Sequence, residues 1–151
     1  MIEIVSDVID EQSLLASVKS KQCGAAVLFV GSTRQFTDGR ETIKLNYECY
    51  EDLAVKVLGN LRDRAMQKWS LEACSVVHRV GTVEVGEASI AVAVSSAHRA
   101  DSFGAIAWLM DQIKEQVPVW KQENWRDGGA EWIHPGVEQR SDQQTNTMDG
   151  E

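Results

Sequence analysis

Lys114 and Lys121 stand on either side of Pro118, and His98 and Arg99 lie upstream in the polar run SSAHRADS. Amines and guanidinium groups held on rigid elements bind anions through charge-assisted hydrogen bonds, which for arginine can be bidentate. A lysine crowded by other cations has its neutral amine made more accessible, and a neutral amine can move a proton or capture a carbonyl. Each residue also has a plain structural reading. His98 and Arg99 are ordinary turn residues, a lysine in the last turn of a helix complements the macrodipole, and the stem of Lys121 can cover its neighbour Trp120. Together with Arg34 and Arg79, the four describe a candidate anion pocket if the fold gathers them.

The elements that must position these groups can be read from periodicity. Ile90, Val92 and Val94 form an apolar run bounded by Gly86, which predicts a buried strand over Ala88–Ser95. Phe103, Ile106, Ala107, Met110, Ile113 and Val117 recur at three- and four-residue steps, the stripe of an amphipathic helix capped by Asp101 or Ser102. Pro118 ends that helix near Glu115 or Gln116. His98 and Arg99 then occupy a strand-to-helix turn, Lys114 the helix end, and Lys121 the chain just past the proline. With Trp120 directly before it, Lys121 is expected at the end of an aromatic-walled groove.

Upstream, Ile2–Val5 reads as a strand, and Leu14, Leu15 and Val18 as a helix capped by Asp10 and terminated by Gly24. Ala25–Val30 is an interior strand. The segment GSTRQFTDGRET follows as a long polar loop with Arg34 just past the strand end. Ile43, Leu45, Tyr47 and Cys49 alternate as a half-buried strand. Ala54, Val57, Leu58, Leu61 and Ala65 take up helical period from Glu51 to about Trp69. Ala73–Val80 is a further strand, and a short last one is expected around Trp132 after Gly128 and Gly129. The order is not strictly β-α-β, which favours α+β: a mixed, largely antiparallel sheet with about three helices packed on it. Residues 1–134 suffice for a single domain, and the polar, acidic stretch 135–151 reads as a flexible tail.

The chain has 151 residues, is 43% hydrophobic and carries a net charge of −8, which disfavours a nucleic-acid binder but leaves room for a local basic pocket. No run of apolar residues is long enough to span a membrane, and the acidic N-terminus lacks a signal-peptide pattern, so a cytoplasmic location is expected. Cys23, Cys49 and Cys74 are odd in number and without a CxxC pair, as befits reduced packing thiols. His78, His98 and His134 are too scattered to predict a metal site.

Laid out in order, the pieces GAAVLFVGSTR, LNYECYEDLA, VVHRVGTVEVGE, VAVSSAHRADSF and DQIKEQVPVWKQE, with Gly128 and Trp132, resemble the large, catalytic subunit family of molybdopterin synthase, the MoaE type. SAHR and PVWK are the most specific. Leu53 stands where the family often has methionine, and Trp125 and the tail follow no family pattern. The resemblance implies an α/β hammerhead fold and a sulfurtransferase of molybdenum cofactor biosynthesis. Its substrate would be cyclic pyranopterin monophosphate, converted to molybdopterin by installing two sulfurs as a dithiolene.

Sulfur would arrive as a thiocarboxylate on the C-terminal glycine of a small ubiquitin-like subunit. The implied assembly is a homodimer with a small subunit at each end, a heterotetramer, and no cofactor or metal is implied. Carried over by position, the catalytic residues are Lys114 and Lys121. The substrate-binding positions are Ser32, Thr33, Arg34, His98, Arg99, Lys114, Lys121, Gln122 and Glu123. The rival reading is a non-catalytic dimeric module that holds a small anion or a ubiquitin-like partner. Arginines and an apolar surface would suffice for that, and it gives no reason for both lysines.

Overall fold

The computed structural model describes residues 1–134, so the expected tail over 135–151 lies outside the described residues. Two sheets and three helices build the α+β architecture, with β1 (Ile2–Val5) against β5 as the parallel strand pair and antiparallel pairing elsewhere. The first sheet runs β1, β5 (Leu71–Arg79), β7 (Ala88–Ser96), β2 (Ala25–Ser32). Every residue of β7 is buried, as its continuous apolar run predicts for a strand covered on both faces. One cover is α1 (Glu11–Val18), whose Leu14 and Val18 pack on Val77, Ala91 and Ala93. On the other face lie α2 (Glu51–Lys68) and α3 (Arg99–Gln116).

The second sheet is centred on β4 (Arg40–Cys49), flanked by β6 (Gly81–Glu84) and β8 (Val119–Trp125), with β9 (Ala130–Ile133) at the far edge of β8. The expected polar loop after β2 folds in part as a hairpin, β3 (Phe36–Thr37) returning into β4. Its turn is Asp38–Gly39, with φ of 50° and 77°, the left-handed pair that an Asp-Gly dipeptide tolerates and a two-residue hairpin requires. Strand β8 has no counterpart in the periodicity reading, since its inward positions Val119, Lys121, Glu123 and Trp125 mix polar with apolar.

Three local expectations change. Helix α3 begins at Arg99 with His98 as its cap residue, not at Asp101 or Ser102. Ser102 is fully buried and its hydroxyl is 2.6 Å from that of Ser96, whose Oγ lies 2.6 Å from the His98 carbonyl. That hydroxyl is committed to tying the helix start to β7 and cannot act as a cap. The buried face of α3 is Ser102, Ala105, Ile106, Leu109 and Ile113, which leaves Phe103 58% exposed. Finally, α1 ends at Val18 with Lys19 as its cap, and Gly24 instead immediately precedes β2, where an added Cβ would sit 2.4 Å from the Ala97 carbonyl oxygen.

Gly104, in the middle of α3, meets the same kind of constraint. A Cβ there would lie 2.6 Å from Nε1 of Trp69, in a ring already packed on Trp108 and Lys68. Glycine to alanine in a helix interior ordinarily stabilises by about 1 kcal/mol. Gly104→Ala is instead expected to destabilise by about 1–3 kcal/mol as the Trp69 ring is displaced, read from urea unfolding. A gain in stability would contradict this packing.

Candidate functional site

Where the two sheets meet the end of α3, they enclose a cavity of about 350 Å³. From β2 and the segment after it come Phe29, Gly31, Ser32, Thr33 and Arg34; from α3 and its end come Met110, Ile113, Lys114 and Val117; from β4 and β8 come Leu45, Tyr47, Val119 and Lys121. Lys114 is brought there by the helix: Leu109 and Ile113 are buried against the sheet, which turns Met110 and Lys114 toward the cavity edge. Lys121 is brought there by register. It pairs with Tyr47 across β4 and β8, and strand alternation sends Val119, Lys121 and Glu123 to one face.

Five of the sequence-derived positions therefore share this cavity: Ser32, Thr33, Arg34, Lys114 and Lys121. The others do not line it. Arg99 opens α3 and Lys114 lies in its last turn, a separation of about 22 Å along the axis at 1.5 Å per residue, so His98 and Arg99 are remote from the lysines within one chain. Gln122 faces the opposite side of β8, where its Oε1 accepts from Asn46 Nδ2 at 3.1 Å, and Asn46 Oδ1 accepts from Thr82 at 2.8 Å. Glu123 is buried on the inner face and accepts from Thr42 Oγ1 at 2.8 Å.

Arg79 is drawn away by Glu87, whose Oε2 lies 3.0 Å from its Nη1. Trp120 also projects away from Lys121, stacking edge-on with Tyr50 and His134, so it does not wall the lysine's groove. The aromatic walls are Phe29 and Tyr47.

Tyr47 and His78 line the cavity although the sequence reading gave neither a site role. Both sit in well-formed strands, and a histidine inside the apolar run SVVHR gives no signal beyond its polarity. In the structure it is 6% exposed, its ring meets Tyr47 edge-on at 5.3 Å, and Nδ1 lies 2.9 Å from the Arg79 carbonyl oxygen. Burial pushes His78 down to about 4, against the Arg79 contact acting the other way. Thr33 Oγ1 is also buried and has no hydrogen-bond partner among the described residues, a condition that costs about 1–3 kcal/mol when nothing fills it.

The thiols are of another character. Burial pushes Cys74 up to about 11, and Cys49 is raised by burial first and by Glu51 second, which disfavours the reactive thiolate. None of the three cysteines lines the cavity. Among the described residues no group of His, Cys, Asp and Glu is arranged to hold a metal ion, and no helix is long and apolar enough to cross a membrane.

Known proteins share both sequence and shape. Residues 4–116 match the profile of the MoaE protein family. The molybdopterin synthase catalytic subunit of Bacillus subtilis is 35% identical over 90% of this chain and 86% of its own. That of Staphylococcus carnosus is 39% identical over 87% of each. Among solved structures, molybdopterin synthase from Staphylococcus aureus superposes with a TM-score of 0.82 at 36% identity, covering 87% of this chain and 95% of that one.

The buried histidine gives a pH signature. Its value falls from 6.5 unfolded to about 4 folded, so between these limits the unfolded chain binds more protons. Its contribution is present above the unfolded value and is lost as pH falls toward the folded one, by at most about 3 kcal/mol. In urea unfolding across that window, the native chain should lose more stability than a His78→Phe chain does. Parallel losses would contradict the assignment of a neutral buried imidazole.

Proposed function

The chain belongs to the MoaE protein family, and from that premise we propose that it is the catalytic subunit of a molybdopterin synthase, acting in molybdenum cofactor biosynthesis. Its reaction is sulfur transfer to cyclic pyranopterin monophosphate from the thiocarboxylated C-terminus of a small ubiquitin-like subunit. The observation that carries the reading is the convergence of Lys114 and Lys121, from different elements, on one cavity with Arg34. Anion holding alone would be served by the arginine. Two amines beside it supply what acyl chemistry needs, a positioned proton carrier and a group able to engage the carbonyl.

In this reading Arg34 binds the phosphate or the incoming terminus by charge-assisted hydrogen bonds. Each carrier gives up one sulfur and departs as a carboxylate, so two are consumed for each dithiolene. Sulfur is imported, consistent with burial holding Cys49 and Cys74 toward the thiol form and with all three cysteines lying outside the cavity.

His98 and Arg99 enter through the homodimer. Both are exposed at the far end of α3 from the cavity of their own chain, and a second copy is assigned the task of supplying them. With a small subunit on each copy the assembly is a heterotetramer in the cytoplasm.

The test is reconstitution with thiocarboxylated carrier and the cyclic pterin. Lys114→Ala and Lys121→Ala should each slow dithiolene formation by roughly two orders of magnitude or more while the chain stays folded and dimeric. Mixing Lys121→Ala chains with His98→Ala/Arg99→Ala chains should restore part of the activity if the two sets act across the interface. Native turnover in both lysine variants would sink the catalytic assignment and favour a binding module, and no recovery on mixing would place His98 and Arg99 outside the shared site.

A further inference from the structure

The cavity has two chemically different ends. At its mouth stand Arg34, Lys114 and Lys121, whose side chains donate hydrogen bonds. Its floor is a row across the first sheet, Gly31 paired with Ile90 and Ile90 with His78, which spans about 10 Å at the usual strand spacing. The row is open because Gly31 has no side chain: a Cβ there would lie 2.7 Å from Ile90 Cγ2. Tyr47 closes it from the second sheet.

The tautomer of His78 follows from its neighbour. Nδ1 faces the Arg79 carbonyl oxygen at 2.9 Å, and a carbonyl can only accept, so Nδ1 carries the hydrogen. In a neutral imidazole the other nitrogen, Nε2, is then a bare acceptor on the opposite edge of the ring. His78 lines the cavity, and among the described residues no carboxylate does. Close by on the sheet edge, Thr33 is 4% exposed and its Oγ1 has no partner among the described residues.

We propose that His78 is a substrate-recognition residue: its Nε2 accepts a ring N–H or O–H of a donor-bearing heterocycle on the cavity floor, Thr33 Oγ1 takes a second polar edge, and the cationic mouth holds the anionic group. This deepens the synthase reading and rests on it for the identity of the heterocycle. The specificity follows from the division. An anion without the heterocycle needs the mouth alone, whereas a heterocycle lacking its donor edge leaves an imidazole and a hydroxyl buried and unfilled.

The test is calorimetric binding of two probes, cyclic pyranopterin monophosphate and inorganic phosphate, to the full chain and to three variants. His78→Phe keeps a planar ring and removes the acceptor. It should weaken pterin binding by roughly tenfold or more, the value of one buried hydrogen bond lost, and leave phosphate binding unchanged. His78→Gln, which can present an acceptor oxygen near the Nε2 position, should recover most of the pterin affinity. Thr33→Val should act in the same direction as His78→Phe, and it decides the matter should His78→Phe fail to fold. Pterin affinity unchanged in the folded variants, or phosphate affinity lost in parallel, would overturn the assignment. Because binding is read without turnover, a native chain that binds the pterin yet makes no dithiolene would fail the synthase reading while leaving the His78 assignment standing.

Discussion

The candidate cavity depends on the register between β4 and β8. Pro118 ends α3, and the chain turns at once into β8, with Val119 opposite Cys49, Lys121 opposite Tyr47 and Glu123 opposite Leu45. The connection is short and held at both sides: Val117 N–H still closes the helix on Ile113, and the Pro118 carbonyl accepts from Tyr50 N–H. A strand has a side-chain period of two, so a slip of one residue would send Trp120 and Gln122 inward and Lys121 out to solvent. The two lysines meet because a helix end and a strand register are fixed by the same proline-terminated link.

That constraint explains which parts of the architecture are legible in the sequence. Helix α2 is marked by Ala54, Leu58, Leu61 and Ala65, all fully buried, and β7 by an unbroken apolar run; in both, burial and pattern agree. Strand β8 is hidden because Lys121 and Glu123 occupy inward positions that a purely structural strand would fill with apolar residues. The chemistry of the candidate site thus erases the alternation that would have revealed its scaffold. The run SSAHRADS reads as a polar break, yet Ser95, Ser96 and Ser102 are fully buried. Their hydroxyls reach Val18 O, far away in sequence, and, within the run, His98 O and one another, pairings that hydrophobic periodicity does not encode. His78 is illegible for the converse reason, a single polar residue in a strand that otherwise fits its fold.

Charge is distributed to match. The chain is acidic overall at −8, and long-range attraction of an anionic substrate or an acidic partner is therefore weak beyond a Debye length of about 8–10 Å. Inside the cavity the balance reverses, with cations and, among the described residues, no carboxylate lining it. Capture of an anion must then rest on short-range contacts in a partly dehydrated site, where charge-assisted hydrogen bonds are strongest. Three acidic groups are committed elsewhere: Glu123 to Thr42, Glu87 to Arg79, and Asp127 to Arg40.

The central claim is that the terminus of a small carrier reaches the lysines of this cavity. The most direct measurement is carbodiimide coupling of the carrier's C-terminal carboxylate to the native protein, followed by peptide mapping of the isopeptide by mass spectrometry. The account predicts a link at Lys121 or Lys114. Coupling confined to lysines outside it, such as Lys19, Lys21, Lys56 or Lys68, would contradict it.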